Sequence, residues 1–308
     1  MKTGGFILLL VSMFFASQPV LSQVQVLKKW SQEEGSPNPT AYFVYRDSDE
    51  ENLANLAKAI GKVWTLSKIE LVSIDEYLGL ETKKGDFTML IGITHDIMYS
   101  QSGVASNFVN LYLDVRVQSD VRQEVLGRIS LAPNGQTIYD VCRGTESLEK
   151  VIYNQYKADG NFSWNYAYLS AGLATVVGAL TEGELITEIK DDVKNPELAN
   201  IKSAVLYVGD AVNTDQSRFT GKDSYSDQKE AIAKAYPYSF EIVSAQAINE
   251  KFINEELDYL FMCQKFGKGK YLIVINVKEN RIIYTRIEKG RYNFSAKDLK
   301  ELSARMGK

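Results

Sequence analysis

His95 is the single histidine of the chain, and it stands beside Asp96 directly after the apolar run FTMLIGIT. An imidazole next to a carboxylate has the makings of a general-base pair. In open α/β sheets, ligands collect beyond the carboxyl ends of parallel strands, which is where a pair placed after such a run would sit. A polar turn closing the strand is the plainer explanation. A nucleophilic triad also needs an activated Ser or Cys, and no G-x-S-x-G elbow occurs. A second set of candidates is acidic. Asp47, Asp49, Glu50 and Glu51 follow the strand-like segment AYFVY, and Asp210 and Asp215 follow SAVLYV. Clustered carboxylates can hold Mg²⁺ or Ca²⁺. Helix capping competes with that reading, because Ser48 and Glu51 form a capping-box pattern and acidic groups favour a helix N-terminus. The candidate ligand-binding residues are therefore Asp47, His95, Asp96 and Asp210.

No residue is assigned a catalytic role, and neither a metal site nor a cofactor is expected. One histidine and two separated cysteines fall short of the three or four ligands zinc requires. No P-loop, G-x-G-x-x-G, HExxH or EF-hand pattern is present. Gly267-Lys268-Gly269-Lys270 resembles a phosphate cradle in composition, but it lies between two strand-like runs, where a turn calls for glycine.

The elements that must position these residues occur twice. SKIELVS (67–73) returns as YSFEIVS (238–244), and DFTMLI (86–91) as DYLFMC (258–263), at offsets of 171 and 172 residues. In the first half AYFVY reads as a strand by its aromatic and β-branched content. Leu53, Leu56, Ala57, Ile60 and Trp64 then follow at helical spacing. KIELV and FTMLIGIT are further strands, SIDEYLGL is a short helix or turn, and NLYLDVRV alternates as a half-buried strand does. VLGRISL and QTIYDVC flank Pro133-Asn134-Gly135, which predicts a hairpin, and SLEKVIYNQY reads as helix. In the second half the order is SAVLYV, a helix over QKEAIAKAY opened by Ser224 and Asp227, FEIVS, the helix AQAINEKFI, and three strands. A last helix is capped by Ser295 and Asp298. Arg128-Ile129 and Arg286-Ile287 match in the last strand of each half. The expected fold is α/β, with mixed parallel and antiparallel sheets and packed helices, built as a tandem duplication of one βαβ-plus-meander module.

Residues 1–22 have the three parts of a secretion signal: Lys2, the apolar run Phe6–Ala16, and a small-residue site ending at Ser22. Cleavage there predicts a periplasmic or extracellular protein. The expected domains are 36–160 and 200–308, joined by a connecting helix and linker over 161–199. The apolar stretch Ala167–Leu180 covers about 21 Å as a helix, too short for a hydrocarbon core of roughly 30 Å, so a buried connecting helix is expected and no integral span. Among 308 residues, 35 are Lys or Arg and 39 Asp or Glu, a formal net charge of −4, which offers no footprint for nucleic acid. An oxidising compartment would allow Cys142 and Cys263 to pair; they sit at non-equivalent places in the two halves, and Cys263 lies in an apolar strand pattern where a buried thiol is common, which leaves that open.

The order helix, FEIVS, short helix, LDYLFMC, and the hairpin KYLIVINVKENRIIYTRI resembles the α/β module of the curli-secretion channel lipoprotein and of the N-terminal domain of the Tol-system β-propeller protein. The resemblance spans 228–287 and more faintly 55–131. It rests on pattern, and it departs from the family at Gln264, where a glycine is common. A thioredoxin-like order without redox cysteines is a second match. The resemblance implies a non-catalytic envelope module. The resulting expectation is an exported, non-enzymatic protein that binds a protein partner or assembles with itself. The alternative is a secreted hydrolase or metal-dependent enzyme using His95, Asp96 and Asp47.

Overall fold

The computed structural model describes residues 23–31, 38–99, 105–133, 135–144, 146–157, 164–186, 195–216, 223–266 and 269–307. The leader, most of the linker and the Gly267-Lys268 turn lie outside these residues. The first half is a six-stranded mixed sheet. Its strands are β1 (Val24–Val26), β2 (Thr40–Val44), β3 (Lys68–Val72), β4 (Phe87–Tyr99), β5 (Ala105–Gln118) and β6 (Gln123–Leu131), in the order β1-β6-β5-β4-β2-β3. β2 runs parallel to both β3 and β4, and β4, β5 and β6 form an antiparallel meander.

The second sheet contains β7 (Leu206–Gly209), β10 (Phe240–Val243), β11 (Tyr259–Phe266), β12 (Gly269–Asn276) and β13 (Arg281–Lys289). A separate ribbon, β8 (Thr214–Gln216) with β9 (Asp223–Tyr225), branches off after β7 and had no counterpart in the expected order. Read from β13, the main sheet runs β13-β12-β11-β7-β10, with the same directions as β6-β5-β4-β2-β3. KIELV and FEIV occupy corresponding outer positions as β3 and β10. Each meander also carries a bulge at the same register: Leu126 of β6 is the extra residue opposite Val115–Arg116 of β5, and Ile283 of β13 is the extra residue opposite Val274–Ile275 of β12.

Helices cover these sheets because their apolar stripes face them. On the first sheet α1 (Leu53–Gly61) buries Leu56, Ala59 and Ile60. α2 (Ile74–Leu78) is capped by Ser73, whose hydroxyl accepts from the Glu76 N–H while the Glu76 carboxylate accepts from the Ser73 N–H. On the second sheet α6 (Lys229–Ala235) and α8 (Ala296–Arg305) pack together over one face, and α7 (Ala245–Ile253) lies on the other. The apolar segment between the halves is α5 (Tyr166–Glu182), mostly buried, capped by Asn165 and ended by Gly183 in the left-handed region at φ 68°. It lies beside α1 against β1 and β6, and its other side meets β12, β13 and α7. Gly172 and Gly127 permit this approach: a Cβ on Gly172 would come within 2.9 Å of Ile129, and one on Gly127 within 3.0 Å of Val176. A single apolar cluster therefore runs from Phe43 and Ile91 through Leu173 to Ile273. No described helix is long and apolar enough to cross a membrane.

Several local expectations are corrected. QTIYDVC is not a hairpin strand; Gly135–Arg143 is helix α3, and α4 (Leu148–Lys157) follows it. The reason is a nearby apolar surface at helical spacing: Ile138, Val141 and Cys142 pack on Val109, Ile93 and Val151. The first sheet begins before residue 36, because β1 adds to the edge of β6. The Ser48–Glu51 box does not form; Asp49 accepts from the Arg46 backbone instead. Ser224 lies in β9 and does not cap α6, whereas the Ser295–Asp298 box on α8 does form. The Arg-Ile match is out of register by one, since Leu113 pairs with Ile129 while its counterpart Leu272 pairs with Arg286.

Candidate functional site

The four residues singled out from sequence are distributed over three elements. Asp47 opens a 3-10 helix (Asp47–Asn52) just beyond β2. Its carboxylate accepts from Lys157 Nζ at 3.2 Å, and the same ammonium lies 2.8 Å from Asp75. The Tyr153 hydroxyl also donates to Asp75, at 3.0 Å. These bonds hold the Asp75 carboxyl below the usual carboxylate range, the Lys157 contact contributing most, and raise the Lys157 ammonium. Asp49, next in the acidic run, is buried against Arg46 at 2.6 Å and accepts from Trp164 Nε1 at 2.9 Å. The acidic cluster after β2 thus holds α4 and the chain entering α5 in place.

His95 and Asp96 do not follow the strand; they are inside it. β4 and β5 continue as a two-stranded ribbon beyond the last β6 pair, Leu111–Leu131, with His95 opposite Val109 and Asp96 opposite Phe108. The strand therefore continues through both positions, and no turn closes it at His95. Asp210 is exposed at the start of a short 3-10 helix (Asp210–Asn213) after β7, in the other sheet. Among the described residues no three His, Cys, Asp or Glu side chains are placed to hold a metal ion. Lys270, from the cradle-like segment, is fully buried, with Nζ 2.5 Å from Asp298. Cys142 and Cys263 are both free thiols.

A different constellation emerges on the first sheet. Alternation along β4, β5 and β6 sends Met89, Ile91, Leu113 and Ile129 to the face that meets α1 and α5, and Thr88, Gly92, Tyr112, Asp114, Arg116, Arg128 and Ser130 to the opposite face. There Asp114 is 2 % exposed, and it accepts from Arg128 Nε and Arg116 Nη2, each at 2.9 Å. Gly92 makes room for it: a Cβ at 92 would meet Asp114 Oδ2 at 2.5 Å. The Arg128 guanidinium lies 5.1 Å from the Tyr112 ring centroid, a cation–π distance. Arg116 Nε is buried with no acceptor. Two guanidinium groups against one carboxylate leave this face locally positive, and both arginine side chains remain 26 % exposed.

Among the described residues no helix packs on the arginines. The described helices that pack substantially on β5 and β6 are α3 and α5, and both lie on the other face, α3 through Val109 and α5 through Ile129 and Gly127. The corresponding face of sheet 2 has Ile273 and Ile275 at the places of Asp114 and Arg116, and it receives α5 and α7. No family profile, curated protein or solved structure matches the chain. Its chemistry must be argued from its own residues. Sequence alternation had marked NLYLDVRV only as half-buried. The available signal was Gly92 interrupting an apolar run, together with charges in β5 at the positions where β12 carries isoleucine.

Proposed function

We propose that this chain is an exported, non-enzymatic binding protein whose partner docks on the arginine-bearing face of sheet 1. The observation that carries the reading is that this face is preorganised: Asp114, seated over Gly92, fixes Arg116 and Arg128 while leaving their outer edges accessible. Fixed donors lose little freedom on binding. The alternative enzyme reading has less support, because Asp47 is paired with Lys157 and the strand runs on through His95 and Asp96 without a turn. We also infer that the two halves arose by tandem duplication, a reading supported by the shared strand order and bulge register. The resemblance to envelope modules and the leader-like residues 1–22 support export.

The test is a photo-crosslinking amino acid at Tyr42, on the arginine side of β2, in the full-length chain expressed in its source cell. Lys300 on α8 serves as the control position. The expected result is one discrete adduct from position 42 and none from 300, on a mature protein whose N-terminus is Gln23. No adduct from 42, or an N-terminus retaining residues 1–22, would overturn the proposal.

A further inference from the structure

We propose that Gln23 is a modification site: once the leader is cut after Ser22, the new α-amine of Gln23 closes on its own side-chain amide to give an N-terminal pyroglutamate. This rests on the export reading above and concerns what that processing leaves behind. The bond that forms joins the α-nitrogen to Cδ, and the bond that breaks is Cδ–Nε2. The departing nitrogen takes one amine proton and leaves as ammonia, so no co-reactant enters. The resulting lactam is neutral and keeps the side-chain carbonyl oxygen.

The first support is where Gln23 sits. Chain termini are usually loose and wet unless tied down. Gln23 is fully buried, and β1 starts at the next residue. Its carbonyl accepts from the Ser130 N–H at 2.6 Å, and its Oε1 accepts from the Thr285 hydroxyl at 3.2 Å. Val26 and Ile186 exchange two backbone bonds on the other edge of β1, which holds the strand from both sides. A free α-amine is ordinarily protonated below about pH 8. The groups gathered at Ser130 offer that charge no partner. Gln264 Nε2 and the Tyr168 hydroxyl both donate to the Ser130 carbonyl. The titratable neighbours are phenols, Tyr112 opposite Ser130 and Tyr271 opposite Gln264, and burial raises Tyr168 and Tyr271 above the ordinary phenol value. The carboxylate of this face, Asp114, is already shared by Arg116 and Arg128. An ammonium at Gln23 would join them as a third cation, and burying an uncompensated charge is costly. The second support is independent of charge. Gln23 Nε2 is buried and bonds to nothing, and a buried donor left unsatisfied is unfavourable. Cyclisation expels this nitrogen, neutralises the amine, and retains the oxygen that Thr285 holds.

Two measurements test this. The mature protein is isolated from the envelope of its source cell, and its N-terminal peptide is sequenced by tandem mass spectrometry. The expected peptide begins at residue 23 and is lighter by one ammonia than its encoded sequence. In parallel, the mature chain is released from a fusion so that Gln23 is freshly terminal, and urea unfolding is followed before and after treatment with a glutaminyl cyclase. Burial depresses the folded-state pKa of an amine, so its contribution to stability is present above the unfolded value and lost as pH falls. The untreated midpoint should therefore drop below the treated one between about pH 9 and about pH 6. An unmodified glutamine at the native N-terminus, a cut at another bond, or midpoints that stay together over that range would overturn the modification while leaving export intact. A native N-terminus that retains residues 1–22 would remove both readings.

Discussion

At the residue scale, the decisive feature is a charge placed where the corresponding position of the second sheet is apolar. Asp114 is nearly fully buried, and its cost in desolvation is offset only because both arginines bond it. Asp114→Asn should therefore destabilise the protein by about 3 kcal/mol, measured by urea unfolding, since two guanidinium groups would face each other without a counter-charge. Gly92→Ala should cost about 1–3 kcal/mol by displacing the carboxylate, and a neutral outcome would remove Asp114 from the face. The thiols give a pH prediction. Burial pushes Cys263 up to about 12 and raises Cys142 less strongly. Because the thiolate is the reactive form, both should modify far more slowly in the native protein than in denaturant at pH 8, Cys263 slowest of all. Native and denatured rates of equal size would contradict the burial.

At the element scale, α5 shows how a helix of small residues serves two surfaces. Its stripe is not uniform. Gly172 lies against Ile129, whereas a Cβ at Gly178 would meet nothing within 4 Å. Sequence alone suggests that a charged residue at either Ala174 or Gly178 should destabilise a buried helix; in the structure both lie on its half-exposed side. The expected outcome is that Gly172→Ala lowers the thermal midpoint, by about 1–3 kcal/mol of stability, while Gly178→Ala raises stability by up to about 1 kcal/mol through helix propensity. The reverse order would mean that α5 faces its neighbours the other way round. How much of this element was legible is instructive. Its existence, approximate ends and burial follow from a 14-residue apolar run with polar flanks. Its facing does not, because an apolar surface all round carries no stripe to read.

At the scale of the molecule, the two sheets share one apolar cluster through α5, together with bonds such as Ser170 to Asn280 and Gln264 to the Ser130 carbonyl. Cooperative unfolding of both halves in one transition is expected. Asp298→Ala supplies the check. It leaves Lys270 fully buried with Glu288, 3.8 Å away, as its remaining anion, and should cost about 3–5 kcal/mol. Calorimetry should show one peak moved to lower temperature. Two peaks, with only the second-half transition shifted, would show that α5 does not couple the halves.

The sequence by itself determined the α/β class, most of the strand and helix order of both halves, the cap at Ser295, and the buried helix between the halves. Periodicity and capping act over a few residues, so they are written locally. Only the tertiary structure decided that QTIYDVC is helical, that residues 24–26 complete a sheet edge over a hundred residues away, and that His95 and Asp96 sit within a ribbon. Those outcomes depend on which surface lies opposite. The same holds for the arginine face. Asp114 and Arg116 are neighbours in one strand, but Gly92 and Arg128 reach them only through strand pairing, and nothing in the local pattern says which face of a half-buried sheet the helices pack on.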